Sequence, residues 1–341
     1  MKGSIKFIIF SYTLSALLVF SGIHVGWAEA PSTAKVTFMS KRDGNAEIYS
    51  MNTDGSEQVN LTQHPAEDYN PTWSPNGKQI LFSSDRDGIF DSYLMNADGT
   101  NVRKVFESSK YRWEPAWAPD GKRIAYAQGD PEKAMEQFGA RFVPYRALTL
   151  CIATVDGDSA EKLTAGFNPS WSPDGREIAF VVGGLKHTPL GIYDTRRRSQ
   201  KTLLLKEMPW IFKPDWSPQS NKIAFAKLDG ATFNGQGFIS SNNSTIYIVN
   251  SDGTGLQQIT KDDERFSSRP TWSPHGDELI YNNFNGSFQL YKTDLNGHNL
   301  TQLTHEGNNT HADWFDPFYS VSPSVQSATT LWGKLKQIKG D

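Results

Sequence analysis

Residues 169–175 read Pro169-Ser170-Trp171-Ser172-Pro173-Asp174-Gly175, and closely related runs occur four more times along the chain. A sixth, worn copy surrounds Trp314 near the end of the chain. The anchoring Trp residues of the other four copies are Trp73, Trp117, Trp216 and Trp272. Successive Trp residues are separated by 44, 54, 45, 56 and 42 residues. Repetition near this period is typical of the blades of a β-propeller, in which each unit buries its apolar face against a neighbour.

The signals within one unit keep the same order and predict four short strands. The Pro-Asp-Gly turn is followed by an apolar run with period two, such as Glu177-Ile178-Ala179-Phe180. A second strand ends at a tight Asp-Gly or Asn-Gly turn, such as Asp98-Gly99, and a third ends in Leu-Thr or Ile-Thr, such as Leu61-Thr62. The Trp run forms the first strand of the next unit. Because the Trp residues recur with this apolar pattern, we expect them to pack between blades.

The two ends of the repeat region complement each other. The segment from Lys35 to Thr62 has three strand signals without a Trp strand, whereas the segment from Thr310 to Asp316 has a Trp strand and nothing after it. Pairing the C-terminal Trp strand with the three N-terminal strands would leave no open sheet edge. The sequence therefore predicts an all-β, six-bladed β-propeller of four-stranded blades, closed in this way.

The first residues have the pattern of an export signal. Lys2 and Lys6 precede an apolar stretch from Phe7 to Phe20, and Ala28 is a suitable cleavage position. The stretch is short for a membrane span, so we expect a periplasmic or secreted protein without a transmembrane anchor after cleavage. The predicted boundaries are a signal peptide at 1–28, the propeller at 29–316 and a C-terminal tail at 317–341.

Charge and cysteine content narrow the classes of partner. Loss of Lys2 and Lys6 with the leader leaves 32 basic and 37 acidic residues, a net charge of -5. Nucleic-acid binding depends on a basic face, so we expect no nucleic-acid partner. The single cysteine, Cys151, cannot form a disulfide within the chain. We predict a monomer that is held together by burial alone.

The repeated pattern Pro-x-Trp-Ser-Pro-Asp-Gly, followed by Ile-Ala-Phe, a hairpin Asp-Gly and a closing Leu-Thr, resembles the PD40 repeat of TolB-type, WD40-like propellers. The resemblance covers about residues 35 to 316. It implies a periplasmic scaffold that binds other proteins, so the expected partner is an envelope protein or peptide. TolB itself carries an α/β domain before its propeller, whereas here the repeats begin a few residues after the leader. We take from the family its architecture and binding character.

The alternative to a binding module is an enzyme, which would need a recognisable set of catalytic or metal-binding residues. A hydrolase of the prolyl-oligopeptidase type needs a Gly-x-Ser-x-Gly run, which this sequence lacks. A carbohydrate-active or metal-dependent hydrolase or lyase that uses the channel mouth stays as the alternative function. His64, His305 and His311 would suit a divalent metal, and the acidic spacings Asp43-x-Asn45-x-Glu47 and Asp85-x-Asp87 would suit a calcium. Our prediction names no catalytic residue, no metal ligand and no cofactor.

Two sets of residues are predicted to form a binding surface. Large insertions at residues 128–147 and 228–245 fall in loops on one face of a propeller, the usual place for a binding surface. The first insertion supplies the aromatic and Arg side chains that interfaces favour: Phe138, Arg141, Phe142 and Tyr145. The second set is the residue three before each anchoring Trp, which we place at the mouth of the central channel. Its members are Asn70, Glu114, Asn168, Lys213, Arg269 and His311.

Overall fold

The computed structural model describes residues 28–138, 143–183, 187–203, 208, 210–219, 221–233, 239–241, 243–261 and 266–319. The predicted signal peptide, apart from Ala28, lies outside the described residues, and so does the tail beyond Tyr319. No helix in these described segments is long and apolar enough to cross a bilayer.

In the described segments, the strands follow one another along the chain with one α-helix among them. The first seven are β1 (Lys35–Ser40), β2 (Glu47–Asn52), β3 (Val59–Asn60), β4 (Asp68–Trp73), β5 (Gln79–Ser84), β6 (Asp91–Asn96) and β7 (Arg103–Lys104). The next seven are β8 (Tyr111–Trp117), β9 (Arg123–Gly129), β10 (Thr149–Thr154), β11 (Glu161–Trp171), β12 (Glu177–Val182), β13 (Leu190–Asp194) and β14 (Ser199–Leu203). The last eleven are β15 (Ile211–Trp216), β16 (Lys222–Asp229), β17 (Thr232–Phe233), β18 (Ile239–Ser240), β19 (Asn243–Asn250), β20 (Gln257–Gln258), β21 (Ser267–Trp272), β22 (Glu278–Phe284), β23 (Phe288–Asp294), β24 (Thr301–Gln302) and β25 (Asn309–Phe315). The helix α1 (Pro131–Phe138) and a 3₁₀ turn (Tyr145–Ala147) lie between β9 and β10.

The strands pair as antiparallel sheets in chain order. Strands β4 to β7 form one four-stranded sheet, β21 to β24 another, and β15, β16, β19 and β20 a third. Strands β8 to β14 form a seven-stranded sheet because the long β11 pairs with β10 through its first part and with β12 through its second. Strand β25 pairs with β1, which continues to β2 and β3. The architecture is an all-β propeller built from four-stranded blades.

The first insertion adds a short helix that the strand signals did not indicate. The helix begins at Pro131, a residue suited to the first helical position. The Asp130 carboxylate accepts a hydrogen bond from the backbone N–H of Lys133 at 3.1 Å, as an N-cap does. The predicted insertion thus holds local helical structure, while the blades themselves remain β.

Three of the Leu-Thr and Ile-Thr pairs, Leu61-Thr62, Ile259-Thr260 and Leu303-Thr304, directly follow very short outer strands. Strands β3, β20 and β24 are only two residues long, and the Thr hydroxyl that follows each of them accepts the next backbone N–H of the neighbouring strand. The pairs are Thr62 with Ile48 at 3.0 Å, Thr260 with Ile246 at 2.9 Å and Thr304 with Leu290 at 2.9 Å. A side-chain oxygen therefore replaces a backbone carbonyl at the edge of the blade.

The predicted packing role of the repeated Trp residues is confirmed. Trp216 shares one apolar cluster with Ile192 and Leu203 of the preceding blade. Five of the six side chains are between 5% and 9% exposed, and the sixth, Trp314, is half-buried. These five are Trp73, Trp117, Trp171, Trp216 and Trp272. Each Trp strand thus joins two blades through buried apolar surface.

Besides the Trp packing, neighbouring blades also touch where a hairpin glycine of one blade lies against a backbone carbonyl of the other. Only glycine fits at these positions. At Gly99, which has φ +85°, an added Cβ would lie 2.5 Å from the carbonyl oxygen of Leu61 in the preceding blade. At Gly55 the corresponding atom would overlap the carbonyl oxygen of Leu303. Gly157 and Gly297 meet the carbonyl oxygens of Val105 and Ile259 in the same way. The hairpin of one blade therefore rests on the outer end of its neighbour, and a side chain would separate them.

We expect Gly99→Ala to destabilise the protein more than Gly88→Ala. Gly88 has φ +88° but no atom within 4 Å of an added Cβ, so its substitution reports backbone strain alone, about 1 kcal/mol. Gly99→Ala adds the clash with Leu61 and should cost at least about 1 kcal/mol more. Denaturant unfolding of both variants measures the difference. Equal losses would contradict the role given to the contact.

Candidate functional site

An axial cavity of about 270 Å³ is lined by two layers of residues from the six strands that carry the anchoring Trp residues, here called the inner strands: β4, β8, β11, β15, β21 and β25. The upper ring consists of Asn70, Glu114, Asn168, Lys213, Arg269 and His311. The lower ring consists of Thr72, Ala116, Ser170, Asp215, Thr271 and Asp313. The upper ring is the set that the sequence predicted for the channel mouth, so the structure brings all six of those side chains to one cavity. Their role in binding stays a prediction.

Every residue of the upper ring has a left-handed backbone, with φ between +50° and +58°. The cause is a bulge in each inner strand. Tyr69 pairs with Ser83 and Thr72 pairs with Leu81, so Asn70 and the following proline stand opposite a single residue. A left-handed conformation costs a non-glycine residue about 1–2 kcal/mol, and strain of this kind concentrates at functional sites. The sequence did not reveal it, because a residue before proline is ordinarily extended.

One half of the upper ring is paired internally. The Glu114 carboxylate forms an ion pair with Lys213 and accepts a hydrogen bond from the Asn168 amide. The side-chain amide oxygen of Asn168, Oδ1, accepts the backbone N–H of Lys213 at 3.2 Å. Burial lowers the pKa of Lys213 to about 7; the charge of Glu114 opposes this shift and that of Arg269 adds to it. These three side chains thus satisfy one another across neighbouring blades.

The other half of the upper ring has polar atoms that no described residue satisfies. They are Arg269 Nη1, His311 Nε2 and both amide atoms of Asn70, all buried. Burial, together with the charges of Arg269 and Lys213, lowers the pKa of His311 well below its ordinary value, so the imidazole is neutral. Burial also lowers the pKa of Arg269, but a guanidinium stays charged in proteins. This half therefore presents polar atoms and a guanidinium without an ion-pair partner among the described residues to the cavity, and the charge of Glu114 only partly offsets the burial of Arg269.

The lower ring links the blades through buried carboxylates. Asp313 accepts the backbone N–H of Trp73 at 2.6 Å, and Asp215 accepts that of Trp272 at 2.9 Å. Burial raises the pKa of Asp215 to about 6 and that of Asp313 to about 7, and the charge of Asp215 contributes to the second shift. Hydrogen bonds from the backbone oppose both shifts. These carboxyl groups fix the register of adjacent inner strands and are sensitive to pH near neutrality.

Aromatic residues immediately precede the upper ring on four inner strands. They are Tyr69, Trp113, Phe167 and Phe212. The insertion reaches these aromatic residues. The ring of Tyr145 stacks on that of Phe167, with 4.6 Å between the ring centroids, and packs edge-on against Phe212, with 5.4 Å between the centroids. Phe167 is fully buried, whereas the other aromatic residues keep some exposure. Of the insertion residues predicted for binding, Tyr145 packs on the aromatic residues that precede the upper ring; Arg141, Phe142 and the side chain of Phe138 lie outside the described residues.

A polar groove of about 540 Å³ lies beside the insertion. Three lysines, Lys110, Lys133 and Lys162, contribute to its lining, together with Asp130 and Glu132. The side chains of Lys110, Lys133 and Lys162 are exposed. The groove thus combines three lysines with two carboxylates beside the strands that carry the aromatic residues, and Lys133 forms an ion pair with Asp130 at 3.5 Å.

Acidic residues with metal-like spacing are engaged in loop contacts. The Asp43 carboxylate accepts hydrogen bonds from the Tyr49 hydroxyl and, at 2.9 Å, from the Asn60 amide. His64 Nδ1 accepts the backbone N–H of Ala66 at 3.0 Å. Within the described segments, no group of three or more His, Cys, Asp and Glu side chains could hold a metal ion.

The sequence matches the family described as PD40, TolB beta propeller domain, over residues 11–140 and 136–317. A stretch of 50 residues is 38% identical to the Tol-Pal system protein TolB of Syntrophotalea carbinolica, covering 15% of this chain and only 12% of that protein. The fold is similar to the crystal structure of TolB from Acinetobacter baumannii, with TM-score 0.63, 16% identity and coverage of 82% of this chain and 66% of that one. It is also similar to the putative TolB from Agrobacterium tumefaciens, with TM-score 0.61, 18% identity and coverage of 82% and 91%. At these identities the structural likeness shows the fold alone.

We expect Asp313→Asn to stabilise the protein at pH 8 relative to the wild type. An amide oxygen can still accept the Trp73 N–H, but it carries no charge to bury. Because the folded pKa of Asp313 is raised, the wild type loses stability as the pH rises from about 4 to about 7, at roughly 1.4 kcal/mol for each pKa unit. The difference between variant and wild type should therefore grow over this range in unfolding measurements.

Asp98→Asn is the opposite control. Hydrogen bonds from Thr100 lower the pKa of Asp98, so its stabilising effect is present at neutral pH and is lost as the pH falls through the lowered value. This variant should be less stable than the wild type at pH 8 and approach it in acid. A pH-independent difference for Asp313→Asn would contradict the assignment.

Proposed function

Because this chain belongs to the TolB β-propeller domain family, we propose that it is a non-catalytic binding module of the cell envelope, periplasmic or secreted. Its partner is an envelope protein or peptide, bound on the face that holds the mouth of the axial cavity. The observation that carries the proposal is the convergence on one face of the upper ring, the aromatic residues before it and Tyr145 of the insertion.

We propose further that the blades number six and close into a ring. In support, β25 pairs with β1, with Phe315 opposite Lys35 and Trp314 opposite Val36. The inner strands β4, β8, β11, β15, β21 and β25 also contact one another in succession, and β25 contacts β4. Such a cycle places every inner strand between two others, which is the arrangement expected of six blades around one axis.

The chemistry of the face favours a protein or peptide as ligand. Partly exposed aromatic side chains supply large contact area with few rotatable bonds, and interfaces are enriched in them. Tyr69 and Trp113 lie 5.5 Å apart between ring centroids and border the upper ring. The lysines of the adjacent groove would complement acidic residues of a partner.

The names of the curated relatives support an envelope role without identifying the partner. They are called Tol-Pal system proteins, but the matched segments cover only 12% and 11% of their lengths.

We expect the double variant Lys110→Glu with Lys133→Glu to lose capture of its partner. Both lysines are exposed in the groove beside the insertion, so charge reversal should disrupt the interface without unfolding the blades. The wild type and variant, immobilised at equal density, would be exposed to detergent-solubilised envelope from the native organism, and bound proteins identified by mass spectrometry. One protein retained by the wild type should be reduced about tenfold or more with the variant.

The matched control is Lys122→Glu with Arg196→Glu, which reverses two exposed charges in hairpins at the opposite ends of strands β8 and β13. This variant should capture as the wild type does. Equal capture by all three proteins would contradict the proposed face. Stoichiometric metal in the purified protein, together with hydrolase or lyase turnover, would favour the alternative of an enzyme that uses the cavity.

A further inference from the structure

The unpaired half of the upper ring has the character of an incomplete binding site. Asn70 is 7% exposed, and neither its amide nitrogen nor its amide oxygen has a hydrogen-bond partner among the described residues. Arg269 Nη1 and His311 Nε2 are likewise buried and unsatisfied, and all three residues line the axial cavity. A buried polar group without a partner costs about 1–3 kcal/mol, so three on one side of a cavity indicate that a ligand completes them.

The positive charge of Arg269 indicates that the ligand is negatively charged. Lys213 has Glu114 as its counter-ion, whereas the described part of the chain gives Arg269 no carboxylate within ion-pair distance. A partly buried cation without an ion-pair partner is costly even with the more distant charge of Glu114, and a guanidinium binds planar carboxylates well. Thr310 Oγ1 lies 2.6 Å from His311 Nδ1. When that hydroxyl donates to Nδ1, Nε2 carries the hydrogen and donates into the cavity.

The size of the cavity limits what can enter. A volume of about 270 Å³ is below the usual range for drug-sized ligands and far too small for a folded segment. It is sufficient for one carboxylate-bearing side chain or a small free carboxylate. The backbone bulges hold Asn70, Arg269 and His311 in place before anything binds, which reduces the entropic cost of binding.

We propose that the Arg269, His311 and Asn70 side of the axial cavity is a carboxylate-binding subsite. Arg269 supplies the charge, while His311 and the Asn70 amide nitrogen donate the remaining hydrogen bonds. The inference deepens the proposed function and rests on it for the source of the carboxylate, an acidic side chain that the partner inserts at the centre of the interface.

Calorimetric titration of the full chain at pH 7 tests the subsite. One probe is a blocked pentapeptide with a central Glu flanked by glycines, compared with the same peptide carrying Gln. Acetate and glutarate, compared with acetamide, represent free carboxylates. We expect saturable binding of the Glu peptide, with affinity at least about tenfold lower for the Gln peptide and for Arg269→Gln, since a hydrogen bond to a charged group is worth about 1.5–3 kcal/mol.

Two further variants separate binding from folding. Arg269→Lys keeps the charge and should restore part of the affinity, whereas Arg103→Gln removes an exposed arginine of β7 and should bind as the wild type does. Thermal unfolding checks that Arg269→Gln remains folded. Binding of acetate and glutarate but not of the Glu peptide would support the subsite and identify a free carboxylate as its ligand. Equal binding of charged and neutral probes, or unchanged binding by folded Arg269→Gln, would overturn it.

The capture experiment distinguishes this inference from the proposed function. If Arg269→Gln retains an envelope protein as well as the wild type does, and the carboxylate probes do not bind, the subsite is wrong and the binding module stands. If the probes bind but no protein is captured, the module is wrong and the subsite stands.

Discussion

The fold depends on the fact that no blade can bury its own surface. A four-stranded sheet leaves apolar side chains on its faces, and here those of each blade are covered by a Trp from the next strand in the chain, as Trp216 covers Ile192 and Leu203. The contact is made again at the outer end, where hairpin glycines such as Gly99 lie against a neighbouring backbone carbonyl. Stability is therefore a property of neighbouring blades, and the local sequence of each repeat is set by what its neighbours require.

The same geometry places chemically different residues in one small space. The scaffold positions of the repeat hardly change, but the residue three before each Trp varies among amide, carboxylate, ammonium, guanidinium and imidazole groups. A repeated bulge brings them to a common axis, although neighbours in the upper ring are more than forty residues apart in the chain. In one part of the ring Glu114 and Lys213 neutralise each other in an ion pair. In the other part Arg269 Nη1 has no hydrogen-bond partner among the described residues. An asymmetric site thus arises within a nearly regular frame.

The sequence predicted the strand order, the packing of the Trp residues and the six residues of the upper ring, because these follow from periodicity. It did not predict the left-handed backbone at Asn70 and its equivalents, since the proline that follows indicates extended structure. It also gave no indication of the raised pKa of Asp313, which depends on burial and on a second carboxylate from a distant blade. Nor did it distinguish a partner-binding role for Tyr145 from packing on the molecule's own aromatic residues. Interactions between repeats are set by three-dimensional proximity, which a repeat pattern does not encode.

The pairing of β25 with β1 has a consequence for how the molecule is made. Synthesis runs from the amino terminus, so β1 emerges among the first strands and its hydrogen-bonding partner among the last. Throughout elongation, one margin of the opening sheet carries free backbone donors and acceptors of the kind that promote association between chains. The first strand to be made, β1, is therefore the strand most exposed to pairing with other chains. That exposure ends only when β25 has been synthesised and pairs with it.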